Sequence, residues 1–393
     1  MTPAQPRRPA RWSVAGRSAA RLDIPDKVTG RPRFLHDLVL PGMRYGRVIR
    51  PPAPAASCSA TGDPALPAGV VTVRDGSFLG AWWRCRTGPR LAAARAGRRG
   101  GAVGGRPRPL PDERDLKGFL LSAPAQAVTV DEAPRRGRGR RGRAHAGGRV
   151  HPAVPGPRLD GAQLCHRPLG RAAGHRLEPQ PGRVLRCAGP SRLSLGLAAD
   201  QVTVNHVEGA GAYGHNGADD AALDAVLLAR AVPGHPVRVL WSREDEMGWA
   251  PLGSAMLARL SAGLDAGGRI ATWRQDVWSN GFIGRPGSGG EPRLLALAPS
   301  GGWPADEPAP DGPPTGAMGS TRNAVPGYDI PDRVIVRHRL LAMPVRTSSL
   351  RSLGAFLNVF AIESFMDELA LRRRTPTRWS SGWPTSPIRG PGG

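Results

Sequence analysis

Glu208-Gly-Ala-Gly-Ala-Tyr-Gly-His-Asn-Gly-Ala-Asp-Asp220 is the stretch on which the reading of this chain turns. It follows Gln201-Val-Thr-Val-Asn-His-Val207, whose alternation predicts a strand, and leads into Ala221-Ala-Leu-Asp-Ala-Val-Leu-Leu-Ala-Arg230, which predicts a helix. Four glycines around one tyrosine place bare backbone against something bulky, and the helix behind points free N–H groups the same way. That combination suits an anionic cofactor, though glycine-rich strand-to-helix turns also occur with no ligand. Asp219 and Asp220 suit the first helical turn, and Pro233-Gly234 ends it.

Working outward, His235-Pro-Val-Arg-Val-Leu-Trp241 reads as a strand, and Ser242 has capping-box spacing to Asp245. Asp265-Ala-Gly-Gly268 sits between two alternating segments, 256–263 and 269–279, and predicts a hairpin. Val334–Leu341 is strand-like. Residues 354–370 form the clearest helix, with Glu363, Ser364, Asp367 and Glu368 on one face. Those carboxylates read as a solvated face rather than as acid/base groups. Towards the start, Phe34–Leu40 and Met43–Arg50 read as strands, and Val70–Phe78 as a strand and turn. His206, His215 and His235 show no metal-ligand spacing. Arg351 stands just before the last helix; on its own this reads as an exposed arginine near a helix start, or as a guanidinium that holds an oxo or phosphate group in a fork.

The formal charge of +24 over 393 residues suggests nucleic acid at first sight. It is unevenly spread: residues 81–200 hold 24 basic and 8 acidic residues, and 371–393 hold five arginines and no acid. The basic stretches offer few aromatics for base stacking, so an Arg/Gly-rich nucleic-acid-binding protein is the alternative reading, not the leading one. Cys58, Cys85, Cys165 and Cys187 form no Cys-x-x-Cys pair and imply neither a zinc site nor a disulfide framework. No apolar run is long enough to span a bilayer, and Arg7-Arg8 has no apolar stretch behind it, so a cytoplasmic protein is expected.

Four blocks, in order, resemble the molybdopterin-binding large subunit of the xanthine dehydrogenase/aldehyde oxidase family, in the branch of isoquinoline oxidoreductase and nicotinate dehydrogenase subunits. Arg21-Leu-Asp-Ile-Pro-Asp-Lys-Val-Thr-Gly-Arg-Pro-Arg-Phe34 with Leu40-Pro-Gly-Met-Arg-Tyr45 is similar to the opening of the family's α/β hammerhead domain. Gly211-Ala-Tyr-Gly-His-Asn-Gly217 stands where the family has a Gly-Gly-Phe-Gly-type cofactor loop, and the match continues through Pro236-Val-Arg-Val-Leu-Trp-Ser-Arg-Glu-Asp-Glu246. Arg346-Thr-Ser-Ser-Leu-Arg-Ser-Leu-Gly-Ala-Phe356 is similar to the family's Arg-Gly-Phe-Gly segment, with Glu363-Ser-Phe-Met-Asp-Glu-Leu-Ala370 in its helix.

The resemblance implies an α+β fold: an α/β hammerhead domain followed by the first part of a molybdopterin-binding domain. It implies a molybdenum-dependent oxidoreductase that hydroxylates a small N-heteroaromatic compound or an aldehyde with water-derived oxygen. Molybdopterin is the implied cofactor, and [2Fe–2S] clusters on an iron–sulfur small subunit the implied electron route. By position, Tyr213 and Gly214 would face the metal's ligands, Arg351 would approach the metal, and Leu353 would face substrate. Gly217 stands where many members have glutamate, the glutamine-containing segment upstream of Gln201 is not recognisable, and no residue matches the family's general-base glutamate, which lies in a later half.

The expected organisation is a disordered N-terminus over 1–20, a hammerhead-like domain over 21–133 with 81–108 degraded, and a disordered Arg/Gly/Pro-rich segment over 134–194. A partial molybdopterin-binding domain follows over 195–371, then a disordered tail over 372–393. Residues 81–108, 134–194 and 372–393 read as out-of-frame translation of a GC-rich gene, which predicts a truncated chain inactive alone.

Overall fold

The computed structural model describes residues 16–31, 34–50, 58–59, 68–75, 78–84, 102–103, 110–133, 144–150, 162–166, 174–178, 202–207, 220–284, 294–295, 309–313, 318–341 and 344–372. The strands in chain order are β1 (Arg44–Val48), β2 (Cys58–Ser59), β3 (Val70–Asp75), β4 (Phe78–Trp83), β5 (Ala102–Val103), β6 (Ala125–Ala133) and β7 (Ala144–Val150). They continue as β8 (Ala162–His166), β9 (Gly174–Glu178), β10 (Val202–His206), β11 (Val237–Leu240), β12 (Met256–Leu264), β13 (Ile270–Ser279) and β14 (Asp332–Leu340). The helices are α1 (Ile24–Val28), α2 (Leu116–Ser122), α3 (Asp220–Arg230), α4 (Arg243–Trp249) and α5 (Ala355–Arg372).

A seven-stranded mixed sheet runs β10-β9-β8-β11-β1-β4-β3, and a five-stranded mixed sheet runs β6-β14-β13-β12-β7. Together they make the chain a mixed α+β fold, as the sequence predicts. In the first sheet, Leu223, Ala225, Leu227 and Leu228 of α3 bury themselves against Val237 and Val239 of β11 and Phe78 of β4. Leu228 can approach so closely because Gly46 and Gly80 leave room. A Cβ at either glycine would stand 2.5 or 2.7 Å from its methyl groups. In the second sheet, α5 lays Leu357, Ala361, Phe365 and Leu369 over Leu260, Trp273 and Ile335. The Trp273 and Phe365 rings meet at 5.4 Å in a tilted pair. Helix α2 covers the other face through Leu120, against Leu257 and Leu340.

Most local expectations hold. The strand before the glycine-rich loop, the helix after it, β11, the β12–β13 hairpin, β14 and α5 all form. In the hairpin, the Arg269 amide donates to Asp265 Oδ1 (2.9 Å), and Gly268 takes the left-handed φ of 74° that the turn needs. The Ser242–Asp245 capping box starts α4, with both reciprocal bonds present.

Three differences have physical causes. Phe34–Leu40 is not a strand: Leu35–Asp37 is a 3-10 turn, because the Asp37 carboxylate accepts the Phe34 amide (3.0 Å) and closes the chain on itself. Three strands, β7, β8 and β9, lie inside the segment expected to be disordered. β7 pairs antiparallel with β12, and β8 with β11. Such pairing uses backbone groups alone, so it needs no side-chain period in the arginine-rich sequence. Within 81–108, Ala102–Val103 also pairs with Cys58–Ser59. Thirdly, Phe356, Val359 and Phe360 of α5, apolar residues away from the helix's Glu363/Asp367 face, are exposed, while the polar Asn358 is fully buried. Its side-chain amide donates to the Ser320 carbonyl (2.9 Å), which makes a polar residue the better occupant. Among the described residues no helix is long and apolar enough to cross a membrane.

Candidate functional site

The segment 346–354 carries the second sequence-predicted motif, and it is held at both ends. Leu252 donates to the Arg346 carbonyl and Ser348 donates back to the Leu252 carbonyl, both at 2.9 Å. Thr347 Oγ1 donates to the Gly281 carbonyl and Ser349 Oγ to the Phe282 carbonyl (2.6 Å). The chain then turns sharply. The Leu353 amide reaches back to the Leu350 carbonyl (2.9 Å) and the Gly354 amide to the Gly319 carbonyl (3.0 Å). Gly354 also caps α5, its carbonyl accepting the Asn358 amide.

Two consecutive non-glycine residues in this turn, Ser352 (φ 73°) and Leu353 (φ 53°), take left-handed conformations. Each costs on the order of 1 kcal/mol, and such strain clusters where geometry matters to function. Ser352 is exposed, so Ser352→Gly should relieve strain without losing packing. We expect a gain of roughly 0.5–1 kcal/mol in unfolding free energy, read from urea titration, after allowing for the entropy glycine adds to the unfolded chain.

Arg351 sits on this turn and lines a small hollow together with Ser254, Met256, Phe282, Leu350, Leu353, Phe356 and Leu357. The Ser254 hydroxyl donates to the Gly281 carbonyl (2.7 Å), and the exposed Arg351 is the charged residue among those lining the hollow. Leu353 is half-buried and rests on the core under α5. Arg351 and Leu353 both line this hollow. Tyr213 and Gly214 lie outside the described residues, as do Gly217 and His215.

The described residues nearest the glycine-rich loop do connect to this turn. Asp220, the first residue of α3, is 2 % exposed and takes Arg346 in a fork: Nη1 to Oδ2 at 2.7 Å and Nη2 to Oδ1 at 3.1 Å. The Leu295 amide donates to Asp220 Oδ1 (2.8 Å), and Arg346 Nη1 also reaches the Trp249 carbonyl (3.3 Å). Sequence reasoning gave Asp220 only a helix-dipole role and Arg346 none. A pair 126 residues apart leaves no local signal.

One turn further along α3, Asp224 is fully buried. It accepts Arg50 Nη2 (2.6 Å) and the Trp241 indole N–H (2.8 Å), while its Oδ1 has no hydrogen-bond partner among the described residues. Burial pushes its carboxyl up to about 6, against the opposing pull of Arg50. Arg50 lies over the rings of Trp241 and Trp249. Two other sequence candidates have local partners. Glu363 accepts the Tyr328 hydroxyl (2.7 Å), and His235 Nε2 lies 3.1 Å from Arg44.

No protein-family model matches the chain. It is 33% identical to a nicotinate dehydrogenase subunit of Pseudomonas putida over 384 residues, covering 91% of this chain and 30% of that protein. It is 26% identical to the isoquinoline 1-oxidoreductase beta subunit of Brevundimonas diminuta, covering 70% of this chain and 36% of the relative. The chain thus spans about a third of the length of these curated relatives. Among solved structures, quinoline 2-oxidoreductase from Pseudomonas putida 86 shares the fold with a TM-score of 0.64 at 15% identity, over 91% of this chain and 48% of that one. The aldehyde oxidoreductase from Desulfovibrio desulfuricans does so with a TM-score of 0.65 at 13% identity, over 91% and 42%.

Proposed function

We propose that this chain, a relative of the nicotinate dehydrogenase and isoquinoline 1-oxidoreductase subunits, is the part of a molybdenum hydroxylase large subunit that helps hold the molybdopterin cofactor. The parent enzyme would oxidise a small N-heteroaromatic compound or an aldehyde and pass electrons to [2Fe–2S] clusters on a small subunit. The observation that carries this reading is the exposed Arg351 standing on a strained turn beside a small hollow lined mostly by apolar side chains.

The donor set fits the group in kind. A guanidinium beside apolar walls holds an oxygen-rich anion more tightly than it would in open water. When bound, a molybdenum–pterin supplies oxygen transfer and two-electron redox chemistry. The chain's own work is then limited. Arg351 would bind and orient the oxygens, Met256, Phe282, Leu353 and Phe356 would keep water from the hollow, and Leu353 would touch substrate. Tyr213 and Gly214 would bring bare backbone to the metal's ligands. With no general base assigned on this chain, turnover by it alone is not expected. The Arg/Gly/Pro-rich segments would be frame errors, which the nucleotide sequence around codons 81–194 tests directly.

The binding claim is tested by supplying purified chain with molybdenum cofactor released from a donor enzyme and measuring retained metal after gel filtration. Retention should approach one metal per chain and fall by about tenfold in Arg351→Gln, the loss of one charge-assisted contact. Retention no higher than on an unrelated basic protein would end this assignment.

A further inference from the structure

The buried fork between Asp220 and Arg346 is not explained by stability. An aspartate at a helix N-terminus already gains from the dipole when left in water. Burying it opposite arginine removes two charges from solvent, and buried ion pairs are often no more stable than apolar substitutes. What a fork adds is direction: two parallel N–H···O bonds fix angle as well as distance. Here it joins α3, which packs on the seven-stranded sheet, to a segment emerging from the five-stranded one. The joint stands five residues before Arg351. The intervening residues are laced to 252 and 281–282 by the Ser348, Thr347 and Ser349 bonds, so little slack remains between them.

We infer that Asp220 and Arg346 are positioning residues: their fork fixes where the Arg351 turn stands relative to the N-terminal end of α3. This rests on the reading of Arg351 as an anion-holding guanidinium, and deepens it. An apolar contact at the same place would glue the two parts but let them slide.

The test compares the full chain with Asp220→Asn/Arg346→Met, which removes both charges and keeps an acceptor for the Leu295 amide. Amide hydrogen exchange is followed at Ser348, Leu353 and Gly354, with the β12–β13 amides as internal control. Inorganic molybdate binding is measured by calorimetry. The paired variant should keep its unfolding midpoint and its β12–β13 protection. Exchange in 348–354 should rise about tenfold, as a local opening becomes easier. Molybdate affinity should fall roughly fivefold, as expected for a misplaced charged contact. Unchanged exchange with unchanged affinity would overturn the inference and leave the pair a structural bolt. If the parent chain binds no molybdate while exchange still responds, the cofactor reading fails and the positioning role stands. Should the paired variant not fold, Arg346→Lys keeps a charge opposite Asp220 but lacks the fork, and the same two measurements decide.

Discussion

Gly354→Ala should cost about 3 kcal/mol or more of unfolding free energy, at the upper end of what overpacking does. A Cβ built on Gly354 would stand 2.2 Å from the Ser320 carbonyl oxygen and 2.8 Å from that of Gly319. Both are backbone atoms, so no side chain can swing away. The Gly354 amide also bonds the Gly319 carbonyl, so retreat would break the contact that seats the start of α5. Position 319 has no slack to give. Gly319 has a φ of 63°, and its own Cβ would meet Asp311 Oδ1 at 1.9 Å. Chemical denaturation measures the loss directly. A variant within about 0.5 kcal/mol of the parent, the range of ordinary surface substitutions, would mean that the approach of 354 to 319–320 is misplaced.

Arg50→Met should be equally severe, about 3–5 kcal/mol at neutral pH, because it strands the Asp224 carboxylate in the core without its cation. The pH dependence gives a finer check on the same residue. The folded-state value of Asp224, about 6, lies above its ordinary 3.8. The folded state therefore binds this proton more tightly than the unfolded chain does. Its contribution to stability is full below pH 3.8 and is lost as pH rises through about 6. Moving the parent from about pH 7.5 to about pH 4.5 should gain about 2 kcal/mol more than the same change in Asp224→Asn, other carboxylates titrating alike in both. Equal slopes for the two proteins would place the Asp224 proton outside this window. In Arg50→Met the acid side should recover part of the loss, since protonation removes the stranded charge.

These residues also show where sequence reading succeeds and where it stops. The 220–230 helix, the hairpin at 265–268 and the 355–372 helix were legible because their signals are local: a period, a turn dipeptide, a cap. The Asp220–Arg346 and Asp224–Arg50 pairs were not. Their partners lie 126 and 174 residues apart, and nothing in an isolated aspartate says whether it will be buried. Phe356 and Phe360 are exposed for a related reason. Hydrophobic periodicity predicts which residues prefer cover, not whether the described chain provides it. The strands at 144–178 were missed because hydrogen-bonded pairing with an existing sheet edge does not depend on which side chains are present.

The Trp241 indole lies with its N–H on Asp224 and its ring beneath the Arg50 guanidinium, 4.7 Å from the centroid. A charge that comes and goes beside an excited indole shifts its emission. The molecule therefore carries an optical gauge of its own interior proton, and subtracting the spectrum of Trp241→Phe isolates it from the other nine tryptophans of the chain's 10.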